Sequence, residues 1–221
     1  MTNRRTSPPR LEPRLVVLRS LDPGMGKTMV VQDVVAWLRG RGHRVGGFSI
    51  RPAYGRDTDA PVAYYAHLYA TDRLIRLSHH DLRADEALDL GKYRPDTVRT
   101  PTQNISDHAV HETLEALATD HQDPAIDAIV LDELGGILAA TAKRKHRRAE
   151  DLPNLTERLV TDPKPTTIIV ALSKRSWEEA NIAEARLAAA LPTFPGRIAT
   201  YELRHGGTPM AQAARILQTL G

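Results

Sequence analysis

The sequence predicts an α/β fold with a mostly parallel central sheet and helices on both of its faces. Short apolar runs, which are typical of buried strands, alternate along the 221 residues with longer segments of helical spacing. In addition, the chain opens on a strand, a glycine-rich turn and a helix in that order. Because a helix returns the chain across the sheet between successive strands, this alternation favours parallel pairing.

The predicted elements follow the apolar periodicity in chain order. Strands are read from continuous apolar runs, and helices from apolar positions three or four residues apart. The strands are predicted at 15–18, 44–50, 126–131, 166–172 and 197–203, and the helices at 28–40, 60–70, 107–120, 176–191 and 209–220. The polar, turn-rich residues 71–105 are predicted to be irregular.

Local signals support several of these boundaries. The first helix ends at Gly40, since glycine is common where a helix stops. Pro52 closes the second strand because proline has no amide hydrogen to donate. Ser176 and Glu179 have the spacing of a capping box, which begins an alanine-rich helix. Pro209 suits the first position of the last helix.

Composition limits the number of domains and the kinds of chemistry. A 41% hydrophobic chain of this length predicts one domain, which we place at residues 15–221. Residues 1–14 hold four arginines and three prolines, and we expect a disordered basic arm there. The absence of cysteine excludes disulfides, thiolate metal sites and cysteine nucleophiles. No apolar stretch is long enough to cross a membrane, and we expect a cytoplasmic protein.

The turn after the first strand has the residues of a phosphate-binding loop. Gly24 and Gly26 allow the backbone amides of residues 24–26, including that of Met25, to surround phosphate oxygens. Lys27 can reach the β- and γ-phosphates, and the Thr28 hydroxyl can ligate Mg²⁺. A strand before the loop and a helix after it are the context that such a site requires. The sequence therefore predicts binding of a nucleoside triphosphate, with ATP and Mg²⁺ as the expected cofactors.

The loop is a variant of the usual GxxxxGK[ST] pattern. Leu21 stands where that pattern has its first glycine. The predicted cofactor-binding set is completed by Asp22 and Met29, on either side of the glycine turn, and by Arg51 at the end of the second strand.

Acidic residues after two other strands are candidates for the metal side of the site. Asp132 follows the apolar residues 128–131 and would hold the Mg²⁺ shell, since ligands of open α/β sheets bind at the carboxyl ends of the strands. Glu133 comes next and is a candidate for orienting or deprotonating the attacking water. Asp57 and Asp59 are alternative metal-side acids, or caps of the helix predicted to begin near Pro61.

These motifs resemble the P-loop NTPase superfamily that contains ParA/MinD-type positioning ATPases, plasmid-stability ATPases and dethiobiotin synthetases. Three blocks carry the resemblance and together cover most of the chain from Leu15: the loop, residues 46–52 (GGFSIRP) and residues 131–136 (LDELGG). The second block is similar to a synthetase segment in which lysine precedes proline. The third is similar to the acid-plus-glycine turn of the synthetases and to the aspartate strand of ParA/MinD proteins. The implied fold has three layers, with helices on both faces of the sheet.

The resemblance implies an Mg²⁺-dependent ATPase in which Lys27, Asp132 and Glu133 are the catalytic candidates. The leading interpretation is a ParA/MinD-like or plasmid-stability-like nucleotide switch that associates as a homodimer. Asp22 replaces the signature lysine that reaches across the ParA/MinD dimer. The alternatives are a dethiobiotin-synthetase-like ligase that phosphorylates a carbamate, a degenerate domain that binds nucleotide for a structural purpose, and an AAA+ or helicase-like protein with adjacent acids. Pro23 and Arg51 speak against the ligase, since they stand where synthetases have threonine and lysine.

A basic run forms a candidate nucleic-acid interface. The net charge is only +3, so the basicity is local, and it is concentrated at Lys143, Arg144, Lys145, His146, Arg147 and Arg148. Such a run can bind DNA phosphates without sequence preference, and binding of this kind is sensitive to salt. A solvated loop with no partner is the alternative.

Overall fold

A computed structural model describes about half of the chain. The described residues are 11–20, 26–54, 61–77, 89–90, 106–132, 167–173, 189, 191–194, 196–203 and 208–220. The helix predicted at 176–191 lies almost entirely outside these ranges, as do Asp57, Asp59, Glu133 and the basic run at 143–148.

The described residues form an α/β fold of eight strands and three α-helices. The strands are β1 (Arg14–Ser20), β2 (Val45–Tyr54), β3 (Pro61–Leu68), β4 (Arg73–Arg76), β5 (Asp89–Leu90), β6 (Ala128–Asp132), β7 (Thr167–Ser173) and β8 (Arg197–Leu203). The helices are α1 (Lys27–Gly40), α2 (Asp107–Gln122) and α3 (Pro209–Leu220). A single 3₁₀ turn at Leu191–Thr193 is also present in this part of the chain.

The strands form one mixed, mostly parallel sheet in the order β4-β3-β2-β6-β7-β1-β8, with β5 also paired to β2. All pairs among β2, β6, β7, β1 and β8 are parallel, which confirms the predicted α/β class. The pairs that involve β3, β4 and β5 are antiparallel. One strand, β7, therefore lies between β1 and β6, and this spacing matters for the site described below.

Two cores lie on opposite faces of the sheet. Successive side chains of a strand point to opposite faces, so each central strand supplies both cores. Helix α2 covers one face, where Leu114 and Leu117 pack on Phe48 and Leu131. Helices α1 and α3 cover the other face, where Val34 of α1 belongs to the second apolar cluster. The predicted placement of helices on both faces of the sheet is thus observed.

The helix predicted at residues 60–70 is wrong, because residues 61–68 form strand β3. This segment pairs antiparallel with β2, with Ile50 opposite Ala66 and Phe48 opposite Leu68. Ala66 and Leu68 are buried in the core under α2. Hydrogen bonding to β2 and burial against it decide the conformation here, and a local apolar spacing cannot reveal either.

Two neighbouring predictions also need correction. Residues 71–105 were predicted to be irregular, but they contain the edge strand β4 and the short strand β5. Residues 11–14 were assigned to the basic arm, yet the Pro13 carbonyl accepts a hydrogen bond from the Arg197 amide at 3.2 Å, and Arg14 begins β1. Residues 11–14 therefore belong to the folded part of the chain.

The pair Gly46-Gly47 has a structural role in strand β2. Gly47 has a φ of +88°, and a Cβ there would lie 2.2 Å from the Val130 carbonyl oxygen. A Cβ at Gly46 would lie 2.8 Å from the Cβ of Asp120 on α2. The Asp120 carboxylate accepts a hydrogen bond from the Gly47 amide at 2.7 Å, while burial raises the pKa of Asp120. The two glycines thus bring β2 close to both β6 and α2.

Candidate functional site

The N-terminus of α1 lies beside the last residue of β1, at the carboxyl edge of the sheet. Gly26 precedes the helix in the left-handed conformation, with φ 76° and ψ 16°, and its carbonyl accepts the first helical hydrogen bond from Val30 at 3.0 Å. The first turn contains no acidic residue. Because the free amides and the dipole of a helix give its N-terminus a partial positive charge, this end of α1 favours a phosphate group.

Glycine is required at position 26 for reasons of space as well as conformation. A Cβ at Gly26 would lie 3.0 Å from the Cγ of Pro209, the first residue of α3. The N-terminus of α3 therefore lies directly against the end of the loop. Thr208 caps α3 by accepting a hydrogen bond from the Ala211 amide at 3.3 Å.

Lys27 is held at the end of the first strand. Its side chain is buried, and its ammonium donates a 2.6 Å hydrogen bond to the Ser20 hydroxyl, on the last residue of β1. Ser20 is buried as well. This contact keeps the positive charge beside the N-terminus of α1, so that the helix amides and the ammonium act on the same region.

Asp132 ends β6 with a fully buried side chain. Alternation along the strands places it on the face of the sheet that α1 and α3 cover, together with Ser20. Strand β7 separates the two strands, which puts β6 about 10 Å from β1 at the usual strand spacing. Asp132 and Lys27 are thus on one face and at one edge of the sheet. However, β7 separates the strand that ends at Asp132 from β1, to whose last residue Lys27 bonds.

A row of polar side chains extends sideways from Asp132. Ser49 of β2 pairs with Asp132 of β6, and His67 of β3 pairs with Ser49. All three are buried. Directly paired residues point to the same face, so the row lies under α1.

Tyr69 follows β3 and completes this polar group. It is 3% exposed, its amide donates to the carbonyl of Gly47, two residues before Ser49, and its hydroxyl makes no hydrogen bond of normal geometry. Burial and the neighbouring Asp132 carboxylate raise the pKa of Tyr69 well above its ordinary value, although Ser49 and Arg51 act in the opposite direction. The phenol therefore stays protonated at any physiological pH and is able to donate a hydrogen bond.

The turn after β3 is anchored by charged contacts. Arg39, in the last turn of α1, donates a hydrogen bond to the Tyr69 carbonyl. His67 Nε2 lies 2.6 Å from Asp72 Oδ1, and Asp72 has the unusual φ of +55°. Burial lowers the pKa of His67 even though its contact with Asp72 acts to raise it. These contacts connect the far end of α1 to the strand that carries His67.

The predicted residues that the structure describes fall into two groups. Gly26, Lys27 and Thr28 are together at the N-terminus of α1, where Thr28 is partly exposed and Met29 is 50% exposed. Arg51 lies further along β2, with its Nε 3.5 Å from the Ser49 hydroxyl, on the side of Asp132. Other predicted site residues lie outside the described ranges: Asp22, Gly24, Met25, Asp57, Asp59, Glu133, Lys143, Arg144, Lys145, Arg147 and Arg148.

Three polar residues of the site were not predicted from the sequence. Ser20 could have been found, since it is the last residue of the strand before the loop. Ser49 could have been found by following the alternation of side chains along β2, which places it on the same face as Gly47. Tyr69 could not, because it lies in a segment predicted to be helical and reaches the site only through the antiparallel pairing of β3 with β2.

Comparisons with protein-family models, curated proteins and solved structures give no match. Within the described part of the chain, no group of three or more histidine, aspartate or glutamate side chains could hold a metal ion. None of the helices in those same ranges is long and apolar enough to cross a lipid bilayer.

Proposed function

We propose that this chain is an Mg²⁺-dependent ATPase that binds the triphosphate at the N-terminus of α1. The observation that carries the proposal is the buried ammonium of Lys27, fixed to Ser20 beside the N-terminus of α1, with Asp132 on the same face of the sheet. A triphosphate bound at the start of α1 would place its negative charge beside this ammonium.

The residues present fit a magnesium ion that is held jointly with the nucleotide. Mg²⁺ retains several waters and takes one or two protein oxygens together with phosphate oxygens, so no cage of three acids is needed. The Thr28 hydroxyl would be a direct ligand. Asp132, which lies about two strand spacings from β1, would act on the bound waters. When bound, the ion neutralises charge that develops on the phosphates.

Catalysis in this proposal depends on positioning and charge. The amides at the start of α1 and the Lys27 ammonium hold the phosphates, and Asp132 fixes the orientation of water on the metal side. Glu133 is the candidate for orienting the attacking water. ParA/MinD-like switching, with a nucleotide-dependent homodimer, is the cellular role that we propose for this cycle.

We predict that Asp132→Asn reduces the rate of phosphate release by about 100-fold and raises the Mg²⁺ concentration needed for half-maximal activity. The amide keeps the size of the side chain but removes the charge that acts on the metal. Asp127→Asn is the matched control, since Asp127 lies just before the opposite end of the same strand. An Mg²⁺ dependence that is the same in wild type and Asp132→Asn would remove Asp132 from the site.

The role as a switch is tested by measuring ATP turnover and DNA retention together. We propose that residues 143–148 bind DNA phosphates, so that retention increases with ATP and falls steeply as salt is raised. No retention at low salt would remove DNA as a partner. ATP consumption that occurs only when an amine or amino-acid substrate is added would instead favour the ligase.

A further inference from the structure

Tyr69 is fixed in place more firmly than a residue in a turn usually is. Its amide donates a 2.9 Å hydrogen bond to the Gly47 carbonyl, and its carbonyl accepts one from Arg39. The rings of His67 and Tyr69 are in T-shaped contact at a centroid distance of 5.4 Å, and the Arg39 guanidinium lies 5.8 Å from the centre of the Tyr69 ring. The hydrogen bonds of the Tyr69 amide and carbonyl and the contacts of its ring therefore fix the position of the hydroxyl.

That hydroxyl is buried without a hydrogen bond of normal geometry. An unbonded buried hydroxyl is unfavourable, since it has lost its contacts with water and gained none in return. Phenylalanine would fill the same space without this penalty. Sheet register places Asp132 on the same face: Ser49 pairs with Asp132 across β2 and β6, and the Tyr69 amide bonds to Gly47, two residues before Ser49.

We propose that Tyr69 is a positioning residue for the metal side of the site: its hydroxyl donates a hydrogen bond to the Asp132 carboxylate when Mg²⁺ and nucleotide bind. The inference rests on the proposed function, because Asp132 must act on the metal. Carboxylates that act on a metal are commonly oriented by a further hydrogen-bond donor, and loss of that donor reduces metal affinity or activity about 10- to 100-fold. Tyr69 is an immobilised donor on the same face of the sheet as Asp132.

Tyr69→Phe tests the proposal without measuring turnover. Calorimetry with a non-hydrolysable ATP analogue gives its affinity in Mg²⁺ and in EDTA, and the ratio of the two is the gain due to the metal. We expect Tyr69→Phe to reduce that gain about tenfold and to leave the affinity in EDTA unchanged. The melting temperature of the nucleotide-free variant should equal or exceed that of the wild type, because an unbonded hydroxyl has been removed.

Tyr201→Phe is the matched control. Tyr201 lies in β8, and its hydroxyl contacts Thr219 and the Arg215 carbonyl of α3. Its removal should lower the melting temperature and leave the metal-dependent gain intact. The proposal would be overturned by any of three results for Tyr69→Phe: a metal-dependent gain in affinity as large as that of the wild type, an equal loss of affinity in Mg²⁺ and in EDTA, or a marked fall in melting temperature. A wild type that binds the analogue with no gain from Mg²⁺ would instead refute the proposed metal-dependent function.

Discussion

Lys27→Met should reduce the rate of ATP hydrolysis by about 1000-fold and abolish measurable nucleotide binding. The methionine retains the apolar stem, which packs at the start of α1, but it cannot place a positive charge beside the phosphates. Loss of a single preorganised donor at developing charge reduces turnover by roughly 100- to 1000-fold, and Lys27 also contributes a full charge. Phosphate release and calorimetric titration measure the two effects separately.

Stability provides the internal check on this variant. Lys27 is 5% exposed and donates to the buried Ser20 hydroxyl, so the methionine leaves that hydroxyl without this donor, at a cost of about 1 to 3 kcal/mol. Nucleotide-free Lys27→Met should therefore melt somewhat below the wild type but still unfold in one cooperative transition, so that nucleotide binding is compared between two folded proteins. Arg41→Met is the control, since Arg41 lies just beyond the opposite end of α1 and covers the Trp37 ring at 3.8 Å. Normal nucleotide affinity in Lys27→Met would contradict the assignment of the phosphate site.

The second large effect is on folding: Gly47→Ala should lower the free energy of unfolding by about 4 kcal/mol. Alanine would be forced into a φ of +88°, and its Cβ would lie 2.2 Å from the Val130 carbonyl oxygen. Neither β2 nor β6 can move aside without breaking the parallel pairing that places Ser49 beside Asp132. Urea denaturation followed by circular dichroism measures the loss.

Gly40→Ala is the control for this substitution. A Cβ at Gly40, the last residue of α1, would meet no atom within 4 Å, and alanine is favoured over glycine in a helix by about 0.5 to 1 kcal/mol. This variant should be as stable as the wild type or slightly more stable. Equal stability of Gly47→Ala and Gly40→Ala would show that β2 does not require glycine at position 47.

Elements with a strong local pattern were predictable from the sequence. Helix α1, strand β8 and helix α3 have the predicted boundaries within one residue, because glycine, proline and continuous apolar runs mark them. Strand β3 was not predictable, since its conformation is decided by its antiparallel pairing with β2. Local periodicity carries no information about such pairing.

The same distinction applies to the candidate site. The part of the site around Lys27 was predictable, because its residues follow one another in the sequence and each has a known role in binding phosphate or Mg²⁺. The Asp132 side was only partly predictable: the acid is marked by the apolar strand before it, but Ser49 and Tyr69 reach it through sheet register and the close approach of β2 at Gly47. Strand order, which places β7 between β1 and β6, was also hidden, and it determines how far Asp132 lies from the loop.

The most direct test is a calorimetric titration of the wild-type protein with ATP in the presence of Mg²⁺, repeated with Lys27→Met. Binding to the wild type with a dissociation constant below about 1 mM, and no binding to the variant, is the predicted result. A folded wild type that binds neither ATP nor another nucleoside triphosphate at millimolar concentration would contradict a phosphate site at the N-terminus of α1.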